Sequence, residues 1–329
     1  MLRGPVRRGK FKENERSLSL GNRMTVTTDA PNTTRIRRLN TASANRVIDP
    51  DVEVAGELDL SRQVLPDELL SIHGLDIDLT AEQKQTLARE ELASVFDNGL
   101  RFEAILNTGF SRMIATARDL TDPRITYMLH EIGEETRHQR LFARVLTQLD
   151  GQAPKPMDKP IFRLLERFGI AQITSRPALL FTLVLAGEEA PDLFQKLAAE
   201  HPDTDPFIQD VSRYHRAEEA RHLSFARAVF GELWAEANWR DRFAVRHVAP
   251  FVVGQMFDFL VQPGVYSTVG LPDWDTWKAA RQTPERSALR HQATRPVLQV
   301  LMDNDVFRGD LPKAWQQTCG VDSAGNPLD

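Results

Sequence analysis

The sequence predicts an all-α protein, an antiparallel four-helix bundle with additional helices on its C-terminal side. Three observations lead there. Four segments of roughly 25 to 38 residues carry helical character between proline and glycine punctuation. No stretch alternates with the period of two that a half-buried strand needs, and no Asn-Gly or Asp-Gly turn is flanked by strand-like runs. Long segments joined by loops are what such a bundle requires.

The first 46 residues carry eleven Lys or Arg against three Asp or Glu, whereas the rest of the chain holds 30 basic and 43 acidic groups. With no apolar periodicity in this head, residues 1–60 read as a mostly disordered basic segment that adds little to the core. Residues 61–329 then form a single domain. Arg7-Arg8 lacks the apolar stretch and cleavage site of a twin-arginine signal, and Met24 is an alternative start.

Thr80 and Gln83 make a capping box that opens the first long helix, Ala81 to about Arg118. Asp122 before Pro123 starts the second, which runs to Leu149 and ends ahead of Gly151 and a proline-rich linker over 153–160. A short helix over 161–168 precedes the third long segment, from Pro177 to about Ala199, where Pro191 predicts a kink or restart. Asp205-Pro206 opens the fourth, which reaches about Leu233. An apolar helix over 240–260, a loop with Gly264, Gly270 and Pro272, and one or two helices over 273–304 complete the chain.

With 41% hydrophobic and 26% charged residues and a net charge of −5, the composition is that of a globular protein. No apolar run approaches the ~20 residues of a membrane span. The acidic body offers no second patch to support nucleic-acid binding. The lone Cys319 excludes a disulfide framework and a thiolate metal site, and it fits a reducing, cytoplasmic setting. Phosphate-loop, G-x-G-x-x-G and G-x-S-x-G patterns are absent from the sequence.

The chemistry lies on the four long helices. Glu135 and His138 on the second, and Glu219 and His222 on the fourth, form two E-x-x-H pairs, each projecting from one helix face. A bundle using two such pairs for two metals needs one Glu from each remaining helix, the arrangement of ferritin-like di-iron and di-manganese proteins. The first helix offers Glu103, set between Phe102 and Ile105/Leu106. The third offers Glu188 or Glu189 after an apolar run. Glu188 is preferred because Phe181, Val184 and Leu185 share its face, and a carboxylate among them is costly without a cation. His215 precedes Glu219 by four residues and adds a third donor on the fourth helix. Imidazoles and carboxylates without thiolate suit iron or manganese. Of His130, Glu131 and Glu134, Glu131 is the preferred support for the ligands from behind.

Glu135-Thr-Arg-His138, the G-E-E-A-P-D run beginning at Gly187, and His215-Arg-Ala-Glu-Glu219-Ala-Arg-His222 resemble the AurF-type di-iron N-oxygenases, whose namesake oxidises p-aminobenzoate. The resemblance covers about residues 80–300, and its most specific element is the extra histidine. It implies a ferritin-like fold and a site of Glu103, Glu135, His138, Glu188, His215, Glu219 and His222 around two irons, with manganese or a mixed pair as alternatives. It further implies O2 bound as a peroxo-diferric species, an arylamine substrate taken to hydroxylamine, nitroso or nitro product, and a homodimer. With no reductase or flavin motif in the chain, electrons come from an external donor. Arg295 in the H-Q-A-T-R-P stretch would hold a substrate carboxylate, and Tyr266 is a second pocket residue.

Three other readings share the pattern. A radical-generating subunit like that of ribonucleotide reductase needs a tyrosine four residues after His138, where this chain has Phe142. Ferroxidase bundles are shorter and lack the external C-terminal helices. A relative with the same metals acting on C–H bonds, as hydroxylase or desaturase, is the serious competitor.

Overall fold

The computed structural model describes residues 31–155 and 159–328. The expectations for residues 1–30, including Arg7-Arg8 and Met24, lie outside the described residues. All regular elements among the described residues are helical, apart from one isolated bridge between Val321 and Pro327.

The expectation of disorder to residue 60 fails from Pro31 onward. Helix α1 (Pro31–Asn45) packs on two of the long helices and places Ile36 in the core at 2% exposure. Asn40 donates to the carbonyl of Pro123 at 3.0 Å. The stripe that does this, Ile36, Leu39, Asn40 and Ser43, follows helical spacing, but it is too sparsely apolar to stand out among arginines, asparagines and threonines. Helix α2 (Pro50–Glu53) follows, capped by Asp49, and the folded unit therefore includes residues 31–60.

The bundle is made of α3 (Ala81–Thr116), α4 (Pro123–Leu149), α6 (Pro177–Glu200) and α7 (Pro206–Glu236), with α5 (Pro160–Thr174) in the crossover. Their starts follow the sequence signals. The Thr80 side chain accepts from Gln83 N while Gln83 Oε1 accepts from Thr80 N. Asp122 caps α4 at Arg124 N, and Asp205 caps α7 at Phe207 N. Helix α4 ends with Asp150 in the left-handed region, φ 46°. Helix α6 continues through Pro191, and α5 runs six residues past the expected end at 168.

Past α7 the expected single apolar helix divides into α8 (Trp239–Phe243), a π turn over 244–248 and α9 (Ala249–Asp258). Pro250, with no N–H to return to the carbonyl of Arg246, sits where the ladder widens. By length and composition the stretch Trp239–Val269 could cross a membrane, and 56% of its apolar window is buried inside the protein. Helices α10 (Asp273–Ala280), α11 (Pro284–Asp303) and α12 (Lys313–Cys319) close the outer layer, with α11 against α6 and α12 against α9 and α11.

Two apolar clusters fill the bundle from opposite ends. One holds Leu106, Phe110, Met128, Phe181 and Phe225; the other holds Leu92, Phe96, Leu141, Phe142 and Tyr214. Along α3, α4 and α7 the stretch between the clusters carries the buried polar residues of the next section.

Candidate metal centre

Glu103 comes from α3, Glu135 and His138 from α4, Glu188 from α6, and His215, Glu219 and His222 from α7; all seven side chains are buried. They gather in two groups able to hold a metal ion, Glu103 with His138 and His215, and Glu135 with Glu188, Glu219 and His222. Donor atoms within each group lie within 4.8 Å of one another. Glu189, the alternative to Glu188, turns outward and pairs with Arg227.

Two carboxylates link the groups. Glu135 sets one oxygen 3.3 Å from His138 Nδ1 and the other 2.9 Å from His222 Nδ1. Glu219 sets Oε1 3.2 Å from His138 Nδ1 and 3.3 Å from His215 Nε2, and Oε2 3.0 Å from His222 Nδ1. Both carboxylates therefore face the two groups at once.

Each histidine is held from behind by its other nitrogen. His138 Nε2 lies 3.0 Å from Glu218, His222 Nε2 lies 2.8 Å from Glu134, and His215 Nδ1 lies 2.9 Å from the amide oxygen of Gln195. Arg137 and Arg221 hold the outer carboxylates, at 3.3 Å to Glu218 and 3.1 Å to Glu134. Such partners orient a ligating imidazole and raise its donor strength. The sequence reading missed Glu218 and Gln195 and preferred Glu131 over Glu134. Glu131 is buried, makes no hydrogen bond through either oxygen, and is pushed up to about 8 by burial. The signal for Glu134 and Glu218 is present in the sequence as E-E-x-R-H, which occurs at 134–138 and again at 218–222.

The charges fit a cation site. One oxygen each of Glu103, Glu135, Glu188 and Glu219 is buried without an aligned hydrogen bond. Burial raises Glu103 and Glu188 well above the usual carboxylate range, reinforced by Glu135 for the first and Glu219 for the second. Burial opposes the charged form of Glu219 as well, but His222 and His215 outweigh it and hold it well below that range. Burial disfavours a charged His138, yet the hydrogen bonds to Glu135 and Glu218 push it up to about 10. Burial takes His215 down to about 4. Four buried carboxylates gathered this closely favour a cation among them.

Arg295 and Tyr266 are not part of this arrangement. Arg295 donates to the carbonyls of Cys319 (3.0 Å) and Gly320 (3.1 Å), so it caps the C-terminal end of α12. Tyr266 is 2.8 Å from Ser71 Oγ, whose hydroxyl also meets Glu91. Neither lines the cavities beside the cluster. Phe142, in place of a radical tyrosine, packs on His215 with ring centroids 5.0 Å apart.

Two uncharacterized proteins, Mb0909 of Mycobacterium bovis and Rv0885 of Mycobacterium tuberculosis, are each 28% identical to this chain over 172 residues. That stretch is 52% of this chain and 50% of theirs, so the chain spans about half the length of the curated relatives it matches. The family described as P-aminobenzoate N-oxygenase AurF matches over residues 29–305, most of the chain and all four helices of the cluster. The chain belongs to the AurF family.

Proposed function

We propose that this protein is a non-haem di-iron oxygenase that oxidises an amine nitrogen with O2, with Glu103, Glu135, His138, Glu188, His215, Glu219 and His222 as the metal ligands. What carries the reading is the convergence of seven buried N and O donors in two linked groups on a chain of this family. Iron bound there would supply the redox chemistry that activates O2. Manganese or a mixed pair fits the same donors. Glu135 and Glu219, which face both groups, would help to hold both ions, while Glu134, Glu218 and Gln195 fix the rings. Arg137 and Arg221 keep the outer carboxylates charged and in place. Phe142 and the apolar clusters on either side exclude water.

Placing one oxygen atom of O2 on nitrogen, with the other leaving as water, consumes two electrons and two protons. An external reductase or small reductant supplies them. A homodimer and a cytoplasmic location belong to the same proposal. C–H oxidation is the second reading, favoured by the apolar cavity of about 270 Å3 beside the cluster, which offers a substrate few polar groups.

The test is metal analysis of ferrous-loaded protein, then reaction with 18O2, a reductant and arylamines. About two irons per chain and labelled hydroxylamine, nitroso or nitro product are expected. Labelled alcohol from a hydrocarbon instead would select the second reading. Failure to retain iron stoichiometrically would refute both.

A further inference from the structure

Two cavities meet beside the centre. The inner one, about 30 Å3, is bounded by Glu103, Glu188, His215 and Phe142. It has room for a water or a diatomic molecule. The outer one, about 270 Å3, is walled by Ile105, Leu106, Leu183, Val184, Val252 and Met256 from α3, α6 and α9. Phe102, Gly187 and Pro191 belong to both walls. The tip of the Phe102 ring occupies the place of a side chain at 187: a Cβ there would stand 1.9 Å from Phe102 Cζ. A glycine immediately before Glu188 thus lets this ring separate the two spaces.

Among the described residues, the outer wall holds no buried cation. Its charged residues, Arg101 and Glu166, are exposed, and Arg101 pairs with Asp97 at 3.0 Å. Asn98 directs its amide to the carbonyl of Phe259 at 2.8 Å. A carboxylate held deep in this space would meet no buried cation among those residues and would lose its hydration. Pro191 has no N–H to return to the carbonyl of Gly187 one turn back, so the helix withholds that acceptor's regular partner at the boundary of the two cavities.

We propose that the outer cavity is the substrate site, that it takes an uncharged apolar amine, an arylamine without a carboxylate, and that Phe102 is the movable partition between this amine and the metal pair. The inference rests on the oxygenase reading above. The apolar body fills the outer space, the amine N–H donates to the Gly187 carbonyl, and rotation of Phe102 off Gly187 admits the nitrogen to the inner space. Phe102 then determines which amines reach the metals.

The test is calorimetric binding to the ferrous-loaded full chain under argon, with p-ethylaniline, p-aminobenzoate and the larger β-naphthylamine. The expected result is p-ethylaniline binding roughly tenfold or more tighter than p-aminobenzoate. Phe102→Ala merges the cavities and improves the affinity for β-naphthylamine relative to p-ethylaniline by roughly tenfold, with Phe102→Leu intermediate and conservative enough to keep the core. The proposal is overturned if p-aminobenzoate binds as tightly as p-ethylaniline, if neither apolar amine binds, or if both folded variants leave the affinity ratio unchanged. Apolar amines that bind in this order but are not oxidised at nitrogen once O2 and reductant are admitted would uphold the site and refute the N-oxygenase reading alone.

Discussion

Helices α4 and α7 carry the same turn, Glu134-Glu135-Thr136-Arg137-His138 and Glu218-Glu219-Ala220-Arg221-His222, and each first glutamate reaches across to the other helix's histidine. His215 has no such turn. Its rear partner is the neutral amide of Gln195, on a third helix. The difference shows in the rings: carboxylates and burial together leave His138 at about 10, while burial takes His215 down to about 4. The two repeated turns make a frame strapped by carboxylates, and the third imidazole, backed by a neutral amide, is added beside it.

The frame's centre should break first. Because Glu135 and Glu219 each face both His138 and His222, replacing either with Ala removes an oxygen from both groups. Iron content measured by plasma spectrometry should fall from about two per chain to well below one. Retention of both ions in either variant would refute the shared-carboxylate arrangement.

Glu91 sharpens the contrast between a carboxyl where burial prevails over its partners, Ser71 and Arg286, and one where its cationic partners prevail. It is fully buried, accepts from Ser71 N (2.8 Å) and the Ser71 hydroxyl, and is raised by burial from 4.5 to about 7. Glu218 is buried too, but the hydrogen bond and charge of His138 overcome the burial penalty and bring it to about 2. The raised carboxyl keeps its proton in the fold after the unfolded chain has lost it. Stability is therefore present below pH 4.5 and lost as pH rises to about 7, by roughly 3 kcal/mol. Glu91→Gln should flatten that part of the curve in urea unfolding series, and an unaltered slope would mean Glu91 is ionised in the fold.

The cross-helix straps come next. Glu134→Gln and Glu218→Gln each leave one imidazole less strongly oriented, and each should weaken metal affinity by roughly 10–100-fold. Competitive chelator titration checks the size of the effect. Equal losses in the two variants would support the symmetry of the frame; a large loss in only one would break it.

The helices and the gathering of the seven side chains were legible because each depends on local spacing: capping boxes, Asp-Pro starts, E-x-x-H pairs and a carboxylate in an apolar run. Helix α1 was not, because its stripe has only Ile36 and Leu39 as large apolar residues and its stability comes from contacts with α4 and α7. The choice of Glu131 over Glu134 failed because a one-helix argument favours the residue one turn before Glu135. The strap instead runs between helices, and Glu134 meets His222 on α7. Arg295 was placed by likeness to a family position, but its guanidinium is committed to carbonyls of Cys319 and Gly320, contacts no sequence spacing announces.

The smallest expected effect tests the asymmetry itself. Gln195 lies seven residues after Glu188, two turns on, so α6 supplies both a carboxylate of the cluster and the amide behind His215. Its amide oxygen accepts from Nδ1–H, which leaves Nε2 free of a proton and facing Glu103 at 3.2 Å. Gln195→Leu removes that acceptor. The ring keeps its packing against Phe142, so the loss should be less than roughly tenfold in affinity and confined to one of the two ions. Gln195→Glu gives His215 the carboxylate that His138 and His222 already have, and should tighten the same ion by a comparable factor. A two-site titration that finds both variants altering both ions equally would mean that His215 is coupled into the frame and not an addition to it.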